Sequence, residues 1–421
     1  MNLKKKVGVI GLGYVGLPLS VVFAEEGCNV LGFDTNLLIC NKINSGESHI
    51  KDILDSRLEK LVANGTLKAV TDFSLLKDCD VISICVPTPL NKLKDPDLSY
   101  VIKATETISQ NLKKGQLIIL ESTTYPGTTR EIMLPILEES GLKIGIDFFV
   151  CFSPERVDPG NKMWNTKNTP KIIGGLTNPC LKTGVDFYSK IFDSVVQVEN
   201  TEAAELVKVY ENTFRMINIA LANELSQICD KLNLNVWDII DAAATKPFGF
   251  MKFLPGPGLG GHCIPLDPHY LSWKMRNLSY KTRMIDLASQ INSEMPNVII
   301  EKIGNKLNQI GKSFKGSNIL IIGIAYKKDI DDLRESPALE IIKSCQDKGA
   351  SINYHDPFCD IISDDGHTLI KNLPLMSIDL SKENIHNADV VVIVTNHTDI
   401  DYKLISDNSK NIVDSRGVFR L

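Results

Sequence analysis

A cysteine at the end of a glycine- and proline-rich segment is the first candidate for chemistry. The segment reads Pro255-Gly-Pro-Gly-Leu-Gly-Gly-His-Cys263, and Asp267 follows four residues later. A flexible loop of this kind brings a reactive side chain and free N–H groups close to a ligand, so we interpret Cys263 as a reactive thiol. Buried, inert cysteines are the common alternative. We expect that state for Cys28, Cys40, Cys79, Cys85, Cys151, Cys180, Cys229, Cys345 and Cys359.

His262 stands directly before Cys263, and the two together could suggest metal ligands. Adjacent residues seldom converge on one ion, and no third ligand is suitably spaced. We therefore predict no metal site.

Lys208 and Asn212 lie four residues apart in a predicted helix, so they share one face of it. A lysine and an amide on one face could stabilise a developing negative charge. A solvated polar stripe is the alternative, and the spacing alone does not decide between them.

A group of cations follows a predicted strand in the last third of the chain. It contains Lys327, Lys328 and Arg334, and Arg416 lies near the C-terminus. Open α/β sheets bind ligands at the carboxyl ends of their strands, where such cations suit a phosphorylated ligand. A charged surface loop is the alternative.

Three glycines between a predicted strand and a predicted helix match a dinucleotide-binding turn. Gly11, Gly13 and Gly16 allow the tight turn, the approach of a pyrophosphate and close helix–strand packing, respectively. Asp34 ends the next strand about 20 residues later, where a carboxylate binds ribose hydroxyls and repels a 2′-phosphate. The sequence therefore predicts NAD rather than NADP as the cofactor, with a tight turn that binds no ligand as the alternative.

Alternating strands and helices surround these residues at both ends of the chain. This alternation predicts an α/β fold with two Rossmann-like doubly wound domains joined by a central helical region. We place the NAD-binding domain at residues 1–200, the helical domain with the cysteine loop at 201–312, and the second Rossmann-like domain at 313–421. The predicted strands are Val7–Ile10, Asn29–Phe33, Val81–Val86, Leu117–Leu120, Phe148–Phe152, Asn318–Ala325, Ser351–His355 and Val390–Thr395.

The central region is predicted to contain two long helices. The first covers Thr201–Leu232, with Thr201 as its N-cap and apolar residues on more than one face. A loop over Pro247–Pro268 follows, and then a helical stretch over Arg283–Ile310 that Pro296 kinks or breaks.

Composition excludes several classes of protein. The chain has 421 residues, with 46 basic and 51 acidic side chains, so it has no bulk attraction to nucleic acid or to an anionic membrane. An apolar stretch follows three lysines at the N-terminus, but its glycines and Pro18 make it a poor signal or membrane helix. The ten cysteines form no C-x-x-C pair. We therefore expect a cytoplasmic protein with reduced thiols and no membrane or nucleic-acid partner.

The order of these motifs resembles the UDP-glucose/GDP-mannose dehydrogenase family over essentially the whole chain. The resemblance implies NAD-dependent, four-electron oxidation of C6 of a nucleotide-sugar to a carboxylate, with two NAD used per turnover. It also implies that the last domain binds a UDP-sugar, and that the central helices form a homodimer or a higher homo-oligomer. The six motifs are Gly11-x-Gly13-x-x-Gly16, Ser122-Thr123, Ser153-Pro154-Glu155, Lys208-x-x-x-Asn212, Gly260-Gly261-His262-Cys263-x-x-x-Asp267 and Lys327-Lys328-Asp329 with Arg334-Glu335-Ser336.

The resemblance also implies roles for individual residues. Lys208, Asn212 and an ordered water hold the developing oxyanion, and either Asp267 or a water with Lys208 is the first base. Cys263 attacks the aldehyde, and Glu155 and Thr123 lie near the water that hydrolyses the resulting thioester. The implied cofactor-binding residues are Gly11, Gly13, Tyr14, Val15, Gly16, Asp34, Thr88, Ser122, Thr123 and Arg334. The implied substrate-binding residues are Glu155, Arg156, Lys208, Asn212, Gly260, Lys327 and Arg416.

Two positions depart from the pattern of the UDP-glucose enzymes. Arg156 stands where those enzymes carry an apolar residue, and His262 stands where they carry a serine. The surrounding motifs look like the subgroup that acts on UDP-N-acetylglucosamine, although enzymes for UDP-N-acetylmannosamine and UDP-N-acetylgalactosamine share some of them. We expect Arg156 to bind the acetamido group, with an ion pair to Asp158 or a phosphate as the alternative.

Two further hypotheses come from other classes of protein. A β-hydroxyacid dehydrogenase would also join a Rossmann domain to a long helix with a lysine and an asparagine, but it needs neither Cys263 nor a second α/β domain. A non-enzymatic NAD-binding regulator would explain the glycines but not the cysteine loop. The number of NADH molecules formed per substrate separates the three.

Overall fold

The computed structural model describes residues 5–50, 52–91, 95–158, 161, 163–261, 263–364 and 370–419. These residues form two compact units. The first contains the chain up to Glu211 together with His269–Tyr280, and the second contains Asn212–Pro268 and the chain from Lys281 onwards. The three-domain division drawn from the sequence stays a prediction.

The first unit is built on one eight-stranded sheet. Its order is β3-β2-β1-β4-β5-β6-β7-β8, and the neighbouring strands are parallel except for the antiparallel pair β6 and β7. The strands are β1 (Lys6–Ile10), β2 (Asn29–Phe33), β3 (Leu67–Val70), β4 (Val81–Ile84), β5 (Leu117–Leu120), β6 (Phe149–Phe152), β7 (Lys171–Gly175) and β8 (Val195–Gln197).

The centre of this sheet is apolar on both faces, as parallel strands covered by helices require. All four residues of β4 and of β5 are buried. The order reverses between β1 and β4, so their carboxyl ends form the crevice in which doubly wound sheets bind ligands. The helices of this unit are α1 (Gly16–Glu25), α2 (Leu37–Asn44), α3 (Asp55–Ala63), α4 (Ser99–Asn111), α5 (Leu134–Glu138) and α6 (Asn178–Tyr188), with a 3₁₀ helix at Phe73–Asp78 and a π-helical turn at Thr129–Met133.

The central part of the chain is helical, as predicted, but two details of the prediction were wrong. Asn200 rather than Thr201 caps the long helix, because its Oδ1 accepts the N–H of Ala203 at 2.8 Å while Thr201 is already helical. The helix after the cysteine loop begins at Cys263, so the predicted loop is too long. The helices are α7 (Thr201–Leu232), α8 (Val236–Ala243), α9 (Cys263–Asn277) and α10 (Arg283–Gln309).

Prolines explain why this second boundary was misplaced. Helix α9 contains Pro268 and α10 contains Pro296, and neither proline ends its helix. A proline in a helix removes one hydrogen bond and usually breaks the pattern. Tertiary packing overrides that preference here, since Met295, Ile299 and Ile303 around the second proline are buried.

Near its start, α7 is attached to the π-helical turn by a buried carboxylate. Glu205 accepts hydrogen bonds from the backbone N–H of Gly127 (2.5 Å), from that of Thr129 (2.8 Å) and from the Thr129 hydroxyl (2.7 Å). Burial raises the pKa of the Glu205 carboxyl to about 7. The neighbouring Glu202 instead pairs with Arg130 at the surface.

The second unit contains a smaller parallel sheet with the order β10-β9-β13-β14. The order again reverses beside its first strand, so the carboxyl ends of β9 and β13 form a second crevice. Ser336 caps the helix after this crevice by accepting the N–H of Ala338. The strands are β9 (Asn318–Ile322), β10 (Ser351–His355), β11 (Ile361–Ile362), β12 (Leu375–Met376), β13 (Val390–Ile393) and β14 (Ile412–Asp414), and the helices are α11 (Pro337–Asp347), α12 (Lys382–Asn387) and α13 (Tyr402–Asn408).

No helix in the described parts of the chain combines the length and the apolar character that crossing a membrane requires.

Candidate active site

The glycine turn after β1 has the geometry that a dinucleotide requires. Gly11 has a φ of 89°, in the left-handed region, and a Cβ there would lie 2.6 Å from the carbonyl oxygen of Cys85. A Cβ on Gly16 would lie 1.8 Å from the carbonyl oxygen of Gly11. Both positions therefore require glycine for the fold itself.

Gly13 differs from these two glycines, because a Cβ built on it would meet no atom within 4 Å. The open space faces the first turn of α1, whose N-cap is Val15. A valine side chain cannot accept a hydrogen bond, so N–H groups of this turn remain for an anion. Together with the exposed Tyr14, these residues form a cradle that fits the pyrophosphate of NAD.

Asp34 follows β2, as the sequence predicted. Its Oδ2 accepts the backbone N–H of Leu12 at 3.0 Å, and its Oδ1 accepts that of Asn36 at 2.8 Å. The carboxylate is thereby fixed beside the glycine turn, where it fits the ribose hydroxyls of NAD.

Other predicted cofactor residues follow β4 and β5. The Ser122 hydroxyl donates to the Val86 carbonyl oxygen at 2.8 Å, which ties the ends of the two strands together. The Thr88 carbonyl oxygen accepts the hydroxyl of Tyr270. Thr123 is half-buried next to Ser122. The structure therefore brings these residues to the same edge of the sheet as Gly11.

Glu155 follows β6 and is held by several donors. Its Oε1 accepts the backbone N–H groups of Arg156 (2.8 Å) and Val157 (2.9 Å), and its Oε2 lies 3.3 Å from Lys171 Nζ. Burial alone would raise the pKa of Glu155, but Lys171, the two N–H groups and Lys208 together hold it below its usual range. Glu155 is therefore ionised at neutral pH.

Arg156 was expected to reach the sugar, and its guanidinium has protein partners in this unit. Nη2 lies 2.5 Å and Nε 3.2 Å from the carboxylate oxygens of Glu211, and Nη1 donates to the Pro170 carbonyl oxygen at 2.8 Å. The ion pair is therefore with Glu211 rather than with Asp158, the partner weighed from the sequence. A contact of Arg156 with the sugar stays a prediction.

The second unit contains a buried polar pair on α7 and α9. Asn212 Nδ2 donates to Asp267 Oδ2 at 2.6 Å, and both side chains are buried. Lys208 lies one helical turn before Asn212 in α7. The sequence predicted all three residues but not the hydrogen bond between the amide and the carboxylate.

The glycine-rich loop before α9 is fixed by a pair of buried amides that the sequence analysis missed. Asn223 Oδ1 accepts the N–H of Gly256 at 2.9 Å, and Asn223 Nδ2 donates to Asn292 Oδ1 at 2.9 Å. Polar residues at apolar helical positions were the available signal. A Cβ on Gly260 would lie 2.5 Å from Tyr326 Cβ, so this glycine is required for close packing.

Cys263 is the first residue of α9, and its side chain lies outside what the structure describes. His262 also lies outside the described residues. A cysteine at the start of a helix is at the end that favours a thiolate.

The predicted phosphate-binding cations lie near the carboxyl ends of β9 and β14. Lys327 follows β9 and Arg416 follows β14. Arg416 Nε donates to the Val394 carbonyl oxygen at 2.7 Å, and burial lowers the pKa of its guanidinium to about 10. Arg334 is half-exposed and pairs with Asp332 through Nε and Nη2. Its predicted contact with the cofactor stays a prediction.

The sequence was compared with protein-family profiles, and three of them match consecutive parts of the chain. All three describe the UDP-glucose/GDP-mannose dehydrogenase family: its NAD binding domain matches residues 5–192, its central domain 202–294 and its UDP binding domain 320–421.

Curated relatives and solved structures agree with these matches. The UDP-N-acetyl-D-mannosamine dehydrogenase of Pyrococcus horikoshii is 33% identical, over 99% of this chain and 96% of the relative. The UDP-N-acetyl-D-glucosamine 6-dehydrogenase of Salmonella typhi is 36% identical, over 84% of this chain and 82% of the relative. The solved structure of the Pyrococcus horikoshii UDP-D-ManNAc dehydrogenase superposes with a TM-score of 0.88 at 34% identity, covering 98% of this chain and 95% of that one.

Proposed function

Because this chain belongs to the UDP-glucose/GDP-mannose dehydrogenase family, we propose that it oxidises C6 of a UDP-N-acetylhexosamine to the carboxylate. NAD-dependent oxidation of a UDP-sugar follows from the family itself. The acetamido sugar is the proposal, and both the Arg156 departure and the names of the relatives support it.

Two substrates satisfy this proposal. The motifs around Glu155 and Cys263 favour UDP-N-acetylglucosamine. The relative that matches 99% of the chain is named for UDP-N-acetyl-D-mannosamine, which differs from it only in the configuration at C2. Both sugars therefore belong in the test.

The Asn212–Asp267 hydrogen bond is the observation that carries the proposed first oxidation. When bound, NAD accepts the hydride that leaves C6 in each of the two oxidations. We assign Lys208 and Asn212 to stabilise the oxygen that loses its proton, and Asp267 to accept that proton directly or through water. Donors placed in this way in a dry site typically contribute about 3 kcal/mol each to the barrier.

Cys263 makes the second oxidation possible. Its sulfur adds to the C6 aldehyde and forms a thiohemiacetal, which restores the tetrahedral C–H from which a second hydride can leave. The resulting thioester is hydrolysed by water, with Glu155 as the base and Thr123 beside it. Arg416 and Lys327 are assigned to the diphosphate, because both are cations at the carboxyl edge of the smaller sheet.

The test follows NADH at 340 nm with UDP-N-acetylglucosamine, UDP-N-acetylmannosamine and UDP-glucose. Two NADH per sugar are expected, with a kcat/KM for one acetamido sugar at least about tenfold above that for UDP-glucose. Cys263→Ser should abolish the four-electron turnover while NAD and UDP-sugar still bind. Cys359→Ser, at a buried cysteine of the same unit, is the matched control.

Equal kcat/KM for UDP-glucose would reject the acetamido sugar and leave the reaction class intact. One NADH per sugar, or a Cys263→Ser variant with wild-type turnover, would reject the covalent mechanism.

A further inference from the structure

Glu155 lies against a buried cluster of ionisable side chains that the mechanism above does not use. Lys171, the first residue of β7, lies between two carboxylates. Its Nζ is 2.6 Å from Glu121 Oε2 and 3.3 Å from Glu155 Oε2. The other carboxylate oxygen of Glu121 accepts the hydroxyl of Tyr188.

Every N–H of the Lys171 ammonium has an acceptor. Besides the two carboxylates, Nζ donates to the Pro154 carbonyl oxygen at 3.3 Å, in the residue directly before Glu155. The side chain of Lys171 is only 3% exposed and that of Glu121 is fully buried. The lysine therefore has one fixed position, set by Glu121 and by the backbone that carries Glu155.

The cluster determines which groups carry charge. The two carboxylates together raise the pKa of Lys171, so it stays protonated although burial opposes this. Burial and the adjacent Glu121 carboxylate raise the pKa of Tyr188 well above its usual range, so it stays a neutral donor. The positive charge of Lys171 is therefore held on the side of Glu155 that faces away from its two backbone donors.

A contribution to stability alone would be a weak reason for this arrangement. Taking a lysine and a glutamate out of water costs several kcal/mol per ion, and apolar residues of similar volume often stabilise a protein equally well. The arrangement instead leaves Glu155 as the outermost and partly exposed member of the cluster, at 14% exposure. A partly exposed carboxylate backed by a buried cation is suited to act on a water molecule.

We propose that Lys171, fixed by Glu121 and Tyr188, is a positioning residue that keeps the Glu155 carboxylate ionised and oriented for thioester hydrolysis. The proposal rests on the proposed function, since it deepens the role assigned there to Glu155. In this step the water oxygen forms a bond to the thioester carbon, and the C–S bond breaks. The Cys263 thiolate leaves, the Glu155 carboxylate takes the proton of the water, and no electrons are exchanged with a cofactor.

The test separates hydrolysis from the two oxidations. Both oxidations precede hydrolysis, so slow hydrolysis gives a burst of two NADH per active site at saturating NAD, followed by a slow steady rate. The thioester then appears as an added mass on the denatured protein. Glu155→Gln is the reference variant and should show both the burst and the adduct.

The main variant is Glu121→Gln/Lys171→Met, which removes the cation without leaving its buried partner as an unpaired anion. An opposite charge at this distance lowers a carboxyl pKa by about 1–3 units, so removing it should shift the low-pH limb of hydrolysis upward by that amount. At pH 6 we expect hydrolysis at least about tenfold slower, with the burst and the adduct. The first oxidation keeps its rate.

Glu121→Gln alone should act in the opposite direction. It removes the anion that shares Lys171 with Glu155, so the low-pH limb stays in place or moves down. Gln is close to Glu in volume and still accepts a hydrogen bond, which keeps this comparison usable if the double variant folds poorly. Lys167→Met, which breaks the half-exposed ion pair with Glu26 in the same unit, is the matched control and should change neither limb nor burst.

Two results would overturn the role of Lys171: a double variant without burst, adduct or pH shift while Glu155→Gln shows them, or a Glu121→Gln limb that shifts upward. A Glu155→Gln variant without burst or adduct would instead remove Glu155 from hydrolysis, and with it the part of the proposed function on which this inference depends.

Discussion

Replacing Gly13 by alanine should separate cofactor binding from folding. The added Cβ meets no protein atom within 4 Å, and Gly13 does not have the positive φ that opposes a side chain. Such a Gly→Ala change costs nothing in the folded state and lowers the entropy of the unfolded chain, so the free energy of unfolding should stay constant or rise by about 0.4–1 kcal/mol.

The same methyl group should weaken NAD binding. It occupies the space through which a pyrophosphate approaches the N–H groups of α1, and hydrogen bonds to a charged group contribute about 1.5–3 kcal/mol. The loss corresponds to a Kd for NAD that is roughly 10- to 150-fold higher.

Two measurements check this prediction: urea unfolding without cofactor, and calorimetric titration with NAD. Gly16→Ala is the contrasting variant, because its Cβ would lie 1.8 Å from the Gly11 carbonyl oxygen. It should lose about 1–3 kcal/mol of unfolding free energy or more. If Gly13→Ala bound NAD as tightly as the wild type, or unfolded as easily as Gly16→Ala, the cradle described here would be wrong.

Three further outcomes are expected. Asp34→Ala should weaken NAD binding by about 1–3 kcal/mol and narrow the preference over NADP in titrations with both cofactors, and a wild type that prefers NADP would contradict this. The pKa of Glu205 is raised to about 7 in the fold, so its contribution to stability is full below the unfolded pKa near 4 and is lost as the pH rises through 7. Urea unfolding should therefore show a decline between pH 5 and 8 that Glu205→Gln flattens, and parallel curves for the two proteins would refute it. Light scattering should give a multiple of 46.6 kDa, because α7 exposes Leu221, Ile228 and Leu232; a monomer mass at micromolar concentration would contradict the predicted homodimer.

Much of the fold was predictable because buried parallel strands have an unambiguous composition. The predicted bounds of β2, β5, β10 and α7 agree with the structure to the residue. The α/β architecture, the family, the NAD cofactor and the UDP-sugar as substrate are confirmed by the family and structure matches. In each of these the local sequence and the global fold favour the same answer.

The remaining features depend on contacts between distant residues. Pro268 and Pro296 lie inside helices because tertiary packing offsets a lost hydrogen bond, which no local pattern reveals. Arg156 meets Glu211, which lies 55 positions later, and Lys171 meets Glu121, which lies 50 positions earlier. A lysine in a strand and a glutamate at a strand end look like ordinary surface residues until the sheet brings them together.

The burial of the other cysteines has a practical consequence for labelling experiments. The nine cysteines other than Cys263 are buried with free thiols. Burial raises the pKa of Cys28 to about 11 and that of Cys79 and Cys345 to about 12. For Cys28 this leaves on the order of one thiolate in ten thousand molecules at pH 7, and only thiolates react with alkylating reagents. The native protein should therefore give a low alkylation background, against which modification of a single thiol can be counted by mass.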